Sequence, residues 1–258
     1  MTTDSSTKIT ETGLGASTAI AGRRLLVTGA NRGLGQALVE EALRRGAARV
    51  YAGARQPLTH PDERVTPVIM DVTNHAQIQG AAERVESLDI LFNNAGVSLP
   101  DDLRDRGALE RHLAVNLFGT WGVTEAFLPS LIRSRGAVVN VVSLGALAAV
   151  PVLPAYSISK AASFSLTQSL RMLLAREGVN VHAALPGPID TDMVRDLAIP
   201  KAPPESVARA IFDGVENGDE EIFPDPLSAT MAESWRAGMA KELERQNAAL
   251  VQVDPLAA

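Results

Sequence analysis

From residue 23 onward, short apolar runs alternate with longer stretches of helical periodicity, and this alternation constrains the fold more than any other feature of the chain. Runs such as Ala137-Val138-Val139-Asn140-Val141-Val142 are nearly continuous rather than alternating in polarity. Parallel strands covered on both faces have that pattern. Strands are expected over 24–28, 49–54, 64–70, 89–92, 137–142 and 180–184, with a weaker seventh near 221–223. Helices are expected between them over 34–45, 76–86, 109–134, 155–177 and 204–216, and residues 228–251 read as one more helix at the edge. Strand–helix alternation of this kind implies an α/β fold built on a parallel sheet. No internal repeat or interdomain linker interrupts it, so residues 22–258 are expected to form one domain. Residues 1–21, rich in Ser, Thr, Gly and Ala, read as a mobile tail without the apolar centre of a signal peptide. No run approaches the roughly 18 apolar residues that would span a bilayer, so a cytoplasmic location is the default expectation.

The first strand runs into Thr28-Gly29-Ala30-Asn31-Arg32-Gly33-Leu34-Gly35 and then a helix. Glycines there permit a tight turn and let backbone N–H groups approach a pyrophosphate at the helix N-terminus, where the dipole favours anions. The spacing is G-x-x-x-G-x-G, not the commoner G-x-G-x-x-G. Twenty residues after Gly35 stands Arg55, and the end of the second strand has no Asp or Glu. A carboxylate at that place would bind the ribose 2′-hydroxyl of NAD, whereas an arginine accommodates the 2′-phosphate of NADP. Arg32 adds a second guanidinium on the same side, and guanidinium matches phosphate geometry. The plainer reading makes both solvated surface arginines; the chemistry favours NADP over NAD.

Tyr156-Ser157-Ile158-Ser159-Lys160 places a phenol and an ammonium four residues apart, one above the other on a helix face. A free phenol titrates near ~10 and exchanges protons poorly at neutral pH. A neighbouring ammonium favours the phenolate and brings the group toward useful acid–base strength. The pair alone is weak evidence, because Tyr and Lys meet at this spacing in many exposed helices.

Other chemistries recede. A formal charge of −6 argues against nucleic acid or an anionic membrane as the main partner. With no cysteine there is no disulfide, thiolate metal site or cysteine nucleophile. His60, His75, His112 and His182 are scattered without ligand spacing, so no metal is expected. Asp101 and Asp102 begin a polar loop and read as solvated, and Glu40-Glu41 as a helix surface.

Taken together, the motifs resemble the short-chain dehydrogenase/reductase superfamily, in its single-domain, NADP-preferring branch. The matching residues are Thr28-Gly29-x-x-x-Gly33-x-Gly35, Asp71, Asn93-Asn94-Ala95-Gly96, Asn116, Ser143, Tyr156-x-x-x-Lys160 and Pro186-Gly187. They run in family order from 23 to about 221, with Ser143 thirteen residues before Tyr156. The resemblance implies a Rossmann-type, doubly wound, mostly parallel seven-stranded sheet between two helical layers, with ligand across the carboxyl ends of the strands. It implies Tyr156 as the acid–base, with Lys160 lowering its pKa and binding the nicotinamide ribose. Ser143 would hydrogen-bond the substrate oxygen, as against merely capping a turn. Asn116 would hold a water linking the lysine to solvent, the alternative being a core asparagine satisfied by its neighbours.

The same resemblance implies an NADP(H) site made of Gly29, Asn31, Arg32, Gly33, Leu34, Gly35, Arg55, Asp71, Val72, Asn94, Ala95, Gly96, Tyr156, Lys160, Pro186, Gly187, Ile189 and Thr191. Within it Asp71 would accept from the adenine amino group, or else cap a strand end, while the Ile189 backbone and Thr191 hydroxyl would hold the nicotinamide carboxamide. Asn93 reads as stabilising the central sheet. The expected activity is a carbonyl reductase or secondary-alcohol dehydrogenase. Apolar residues after the fifth and sixth strands, Leu144, Leu147, Val150, Val152, Leu153, Met193 and Leu197, suggest an uncharged, apolar ketone or alcohol, though some would simply pack the core. A dehydratase or epimerase retaining its nucleotide, or an idle NADP-binding regulator, are the rival classes. Relatives pair through the helices matching 109–134 and 155–177. Here these carry Leu113, Leu117, Trp121, Phe127 and Leu131, then Phe164, Leu166, Leu170, Leu173 and Leu174; all could be core, since a helix on a sheet buries a broad stripe, but the excess points to a homotetramer, or failing that a dimer.

Overall fold

The computed structural model describes residues 18–195 and 198–250. Seven strands form one parallel sheet in the order β3-β2-β1-β4-β5-β6-β7. They are β1 (Arg24–Thr28), β2 (Arg49–Ala54), β3 (Val65–Ile69), β4 (Ile90–Asn93), β5 (Ala137–Val141), β6 (Asn180–Ala184) and β7 (Glu221–Ile222). Strand order reverses between β1 and β4, which opens a crevice at their carboxyl ends where ligands bind in sheets of this type. The Rossmann-type, three-layer arrangement expected from the sequence is therefore observed, with every pairing parallel.

Helices α1 (Gly33–Arg44) and α6 (Pro204–Asn217) cover one face of the sheet. Leu25, Val27, Phe92 and Val139 point into that layer with Leu38, Ile211 and Phe212, and the Phe92 and Phe212 rings lie 4.9 Å apart. The other face is covered by α2 (His75–Arg84), α4 (Thr120–Ser134) and α5 (Pro154–Leu174). There Leu26, Leu91 and Val138 meet Ile78, Val123, Phe127, Leu131 and Leu174. Adjacent strand residues thus bury on opposite faces, which is why the runs read as continuously apolar.

Three expectations need correction. The single helix over 109–134 is instead α3 (Arg106–Leu113), a π-helical turn at Ala114–Gly119, and α4. It starts earlier because the Asp105 carboxylate accepts from Gly107 N at 2.8 Å. The expected helix over 228–251 divides into α7 (Pro226–Ala229), α8 (Ala232–Arg236) and α9 (Met239–Leu250). Finally, the expected tail reached residue 21, yet Ile20 is fully buried in the α1/α6 layer and Gly22 N bonds Gly46 O at 2.8 Å. The chain therefore enters the fold before residue 22; residues 1–17 lie outside the described region.

Two polar assemblies brace the sheet. Asn93 Nδ2 donates to Thr124 Oγ1 and Asn140 Oδ1, each at 2.9 Å, and Asn140 Nδ2 donates to Thr167 Oγ1 at 2.9 Å. This buried chain joins α4, β4, β5 and α5, in keeping with a sheet-stabilising Asn93. At the β7 edge, Lys241 Nζ lies 2.8 Å from Glu221 and 3.0 Å from Glu244, and Arg171 pairs with the same two carboxylates. Buried charges require such partners, and these ones fasten α9 to the sheet.

Candidate active site

At the end of β1, Thr28 Oγ1 accepts from the backbone N–H groups of Asn94 and Ala95, both at 3.0 Å. Asn94 Nδ2 returns a bond to Thr28 O at 2.9 Å. These contacts lock the first strand-to-helix turn against the end of β4. The turn needs its glycines: Gly29 and Gly33 have φ of +66° and +55°, and a Cβ on Gly35 would stand 2.0 Å from Gly29 O. Gly33 also faces the loop after β6, where a Cβ would meet Thr191 Cγ2 at 3.0 Å.

Helix α1 leaves its N-terminus open to an anion. Its N-cap residue, Arg32, makes no side-chain cap, and the first turn, beginning Gly33-Leu34-Gly35, carries no acidic residue. Uncapped N–H groups and the helix dipole suit a pyrophosphate, so these residues fit the expected dinucleotide. Asn31 is exposed in the loop before them. Arg55 is exposed at the end of β2. Burial would raise the Asp71 carboxyl, but hydrogen bonds from Thr73 N and Oγ1 (2.9 and 2.7 Å) and the charge of Arg55 hold it below its usual range. Asp71 is thus a turn cap in this geometry as well as a candidate adenine partner. Its neighbour Val72 packs on the π-helical turn, leaving no room for a Cβ at Gly119.

Arg32, expected beside Arg55 as a second cation, is instead ion-paired with Asp192 of the loop after β6, Nη1 to Oδ2 2.9 Å. That opposite charge was within reach, and nothing in the local sequence of either residue announces the pairing.

The catalytic candidates converge between β4, β5 and α5. Gly96 separates two of them: a Cβ there would lie 3.2 Å from Asn116 Oδ1 and 3.7 Å from Lys160 Nζ. Asn116 sits in the π-helical turn, accepts from Val97 N at 2.9 Å, and donates to Val97 O at 3.0 Å and Ser159 Oγ at 2.9 Å. Its carboxamide is thus well satisfied and fixes the strand-to-loop exit at Val97. Ser143 Oγ accepts from Gly145 N at 3.0 Å, capping the turn after β5, and Tyr156 lies against the same glycine: a Cβ on Gly145 would stand 3.4 Å from Ser143 Oγ and 3.5 Å from Tyr156 Cε1.

Burial pushes the Tyr156 phenol above its ordinary value, against the opposing Ser143 hydrogen bond. Burial likewise pushes the Lys160 ammonium down to about 8. Lys160 Nζ donates to Val141 O at 2.7 Å and stands 5.8 Å from the centre of the Tyr156 ring. The expected lowering of the phenol by Lys160 is therefore not what this geometry gives: the ammonium is turned to the Val141 carbonyl, and burial sets the direction of the phenol's shift.

Pro186 O accepts from Leu144 N at 3.0 Å, joining the loops after β5 and β6. Ile189 bridges Ala202, and Thr191 Oγ1 reaches Ile189 O at 3.4 Å. Leu197, expected in the pocket, lies outside the described residues.

Three side chains do structural work at the site that the sequence did not assign them. Asp225, buried, accepts from Gly187 N at 2.8 Å and caps α7 through Leu227 N and Ser228 N. Asp101 is not simply solvated: its carboxylate accepts from Ala155 N at 3.2 Å, capping α5 one residue before Tyr156. His112, fully buried, stands 6.4 Å from the Tyr156 ring and accepts from Leu99 N at 3.0 Å through Nε2. The D-x-x-S pattern at Asp225 was a legible cap signal; the bond to Gly187 was not.

Comparison with known proteins places this constellation. The family model for short chain dehydrogenases matches residues 23–201. The oxidoreductase UcpA of Salmonella typhimurium is 35% identical over 230 residues, 79% of this chain and 88% of its own. Estradiol 17-beta-dehydrogenase 2 of Mus musculus is 36% identical over 188 residues, 66% of this chain but only 49% of that one. Among solved structures, a short chain dehydrogenase from Burkholderia cenocepacia J2315 in complex with NADP aligns with a TM-score of 0.81 at 37% identity, covering 89% of this chain and 98% of its own. A gluconate 5-dehydrogenase from the same organism, at 24% identity and a TM-score of 0.72, shares the fold. With the open α1 terminus, the Ser143–Tyr156 contact and Lys160 beside Gly96 all in place, the chain belongs to the short chain dehydrogenase family of oxidoreductases.

Proposed function

We propose that the chain is an NADP(H)-dependent carbonyl reductase or secondary-alcohol dehydrogenase acting on an uncharged, apolar substrate. The observation that carries this reading is the meeting of Ser143 and Tyr156 at Gly145, with Lys160 5.8 Å from the Tyr156 ring and facing Gly96. When bound, the nicotinamide supplies or accepts the hydride. Tyr156 Oη holds the proton that the substrate oxygen gains or loses. A phenol held above its ordinary value is protonated at neutral pH, the form that carbonyl reduction requires. Ser143 orients the phenol and offers a hydroxyl to developing negative charge. Gly33, Leu34 and Gly35 would hold the pyrophosphate, Arg55 the 2′-phosphate, and Lys160 the ribose. The NADP complex of the Burkholderia relative supports that cofactor.

The substrate class rests on the loops beyond the carboxyl ends of the strands. Leu99 and Leu103 after β4, Val152 after β5, Met193 and Ile199 after β6, and Leu227 after β7 are all large apolar side chains more than two-fifths exposed. An apolar rim around the crevice favours a lipophilic ketone over a sugar or a charged acid. Absorbance at 340 nm with purified protein, NADPH and a panel of aliphatic, aryl and cyclic ketones tests the reading; oxidation of NADPH only with sugars or carboxylates would reverse the substrate class.

We also propose self-association through the π-helical turn, α4 and α5. Phe127, Leu131, Phe164 and Leu174, expected as interface candidates, belong to the core. Phe118, Trp121 and Leu173 remain 55, 49 and 61% exposed, and a symmetric partner would cover them. A homotetramer is expected first and a dimer second. Light scattering that returns 27.3 kDa at micromolar concentration would exclude both.

A further inference from the structure

Two arginines were available to read a 2′-phosphate, and the structure gives them different circumstances. Arg55 is exposed and makes no ion pair among the described residues, its charge reaching Asp71 only at longer range. Arg32 is engaged: its guanidinium meets Asp192 at 2.9 Å, across 160 residues of sequence. Asp192 also pairs with Arg195, its neighbour three residues on, so it does not depend on Arg32 for a cation. Arg32 is 67% and Asp192 45% exposed, so the pair lies in solvent, where ion pairs are weak and readily exchanged.

The backbone of Arg32 is fixed at the head of α1, while its long side chain is free to turn. A phosphate dianion offers it a stronger, bidentate partner than one shared carboxylate. We propose that Asp192 is a cofactor-discrimination residue: it competes with the 2′-phosphate of NADP(H) for Arg32, and so discounts the affinity for NADP(H) while leaving NAD(H) untouched. Binding of a 2′-phosphate exchanges the Arg32–Asp192 pair for an Arg32–phosphate pair, and Asp192 falls back on Arg195. The chain's preference between the two dinucleotides is thereby set by three residues, Arg55, Arg32 and Asp192.

The inference rests on the NADP(H) reading above, and fragment binding separates the two. Calorimetric titration of the intact protein at low ionic strength with 2′,5′-ADP and with 5′-ADP isolates the 2′-phosphate from the nicotinamide and from catalysis. The wild type is expected to prefer 2′,5′-ADP. Asp192→Asn, a near-isosteric change at an exposed position, should tighten 2′,5′-ADP by roughly two- to fivefold, the range an exposed ion pair allows. It should leave 5′-ADP unchanged. In an Arg32→Ala background the same substitution should change neither, since the competitor has lost what it competes for. An Asp192→Asn effect that is absent, equal for both fragments, or undiminished in the Arg32→Ala background overturns the inference alone. A wild type that binds both fragments equally overturns the NADP(H) reading and the inference with it.

Discussion

Lys160 Nζ donates to Val141 O at 2.7 Å while standing 5.8 Å from the centre of the Tyr156 ring. The ammonium is held by the end of β5 and not by the phenol it was expected to activate. Ser143, not Lys160, is the group that opposes the burial holding the Tyr156 phenol above its ordinary value. The site is thus arranged around a protonated tyrosine beside a desolvated lysine. Tyr156→Phe removes the proton and little volume. It should lower kcat by about 10²- to 10⁴-fold, the usual contribution of general acid–base transfer, with dinucleotide affinity nearly unchanged. Single-turnover rates alongside fluorescence titration check this; near-normal turnover in a folded variant would remove Tyr156 from the mechanism.

The depressed lysine makes a separate prediction about stability. Its folded-state value of about 8 lies below the 10.5 of an ordinary lysine, so over that interval the unfolded chain binds the extra proton. Stability from this group is therefore complete above 10.5 and is lost as pH falls through 8. Thermal melts of wild type and Lys160→Met between pH 7.5 and 9.5 should show the wild type gaining relative to the variant as pH rises. The comparison stops short of pH 10, where Tyr156, with its raised value, works in the opposite sense. A difference independent of pH would mean the ammonium is not desolvated.

Glycines divide into those that the turn requires and those that it does not. A Cβ on Gly35 would meet Gly29 O at 2.0 Å and Asn94 Nδ2 at 2.6 Å, both in the contact that joins β1 to β4. Gly35→Ala should therefore abolish dinucleotide binding and lower the melting temperature. Gly80, within α2, has nothing nearer than the Arg84 guanidinium at 3.8 Å. Gly80→Ala should stabilise by about 0.5–1 kcal/mol, because alanine loses less backbone entropy in a helix. Urea titration of the two variants checks both; equal effects would show that the glycine turn has slack.

What the sequence made legible was local. Continuous apolar runs marked the strands because residues of both parities are buried, and Tyr156 and Lys160 stood out by their spacing together with the ordered glycine, asparagine and serine motifs around them. The π-helical turn at Ala114–Gly119 escaped because its apolar pattern continues that of the helices on either side; only the hydrogen-bond ladder changes. Asp101, Asp225 and Asp192 escaped for another reason. Their partners Ala155, Gly187 and Arg32 lie 54, 38 and 160 residues away, two of them backbone N–H groups that carry no residue-type signal. A carboxylate in a polar loop looks solvated until the fold delivers its donor.

Asp225 gives the sharpest test of that point. Its Oδ2 accepts from Gly187 N at 2.8 Å and from Ser228 Oγ at 2.7 Å, while Oδ1 accepts from Leu227 N and Ser228 N. One buried carboxylate thus holds the turn after β6 and starts α7. Asp225→Ala removes a helix cap and leaves the Gly187 N–H unpaired, together a cost of about 2–4 kcal/mol. Asp225→Asn keeps one oxygen but turns an NH₂ toward either Gly187 or the helix, so it should fall between alanine and wild type. Because Pro186 O also bonds Leu144 N, slackening this turn should weaken dinucleotide binding more than it changes kcat at saturation. Urea denaturation ranks the three proteins, and dinucleotide titration separates the local effect from the global one. An alanine variant as stable as wild type would show that water replaces the carboxylate and that the 186–187 turn stands without it.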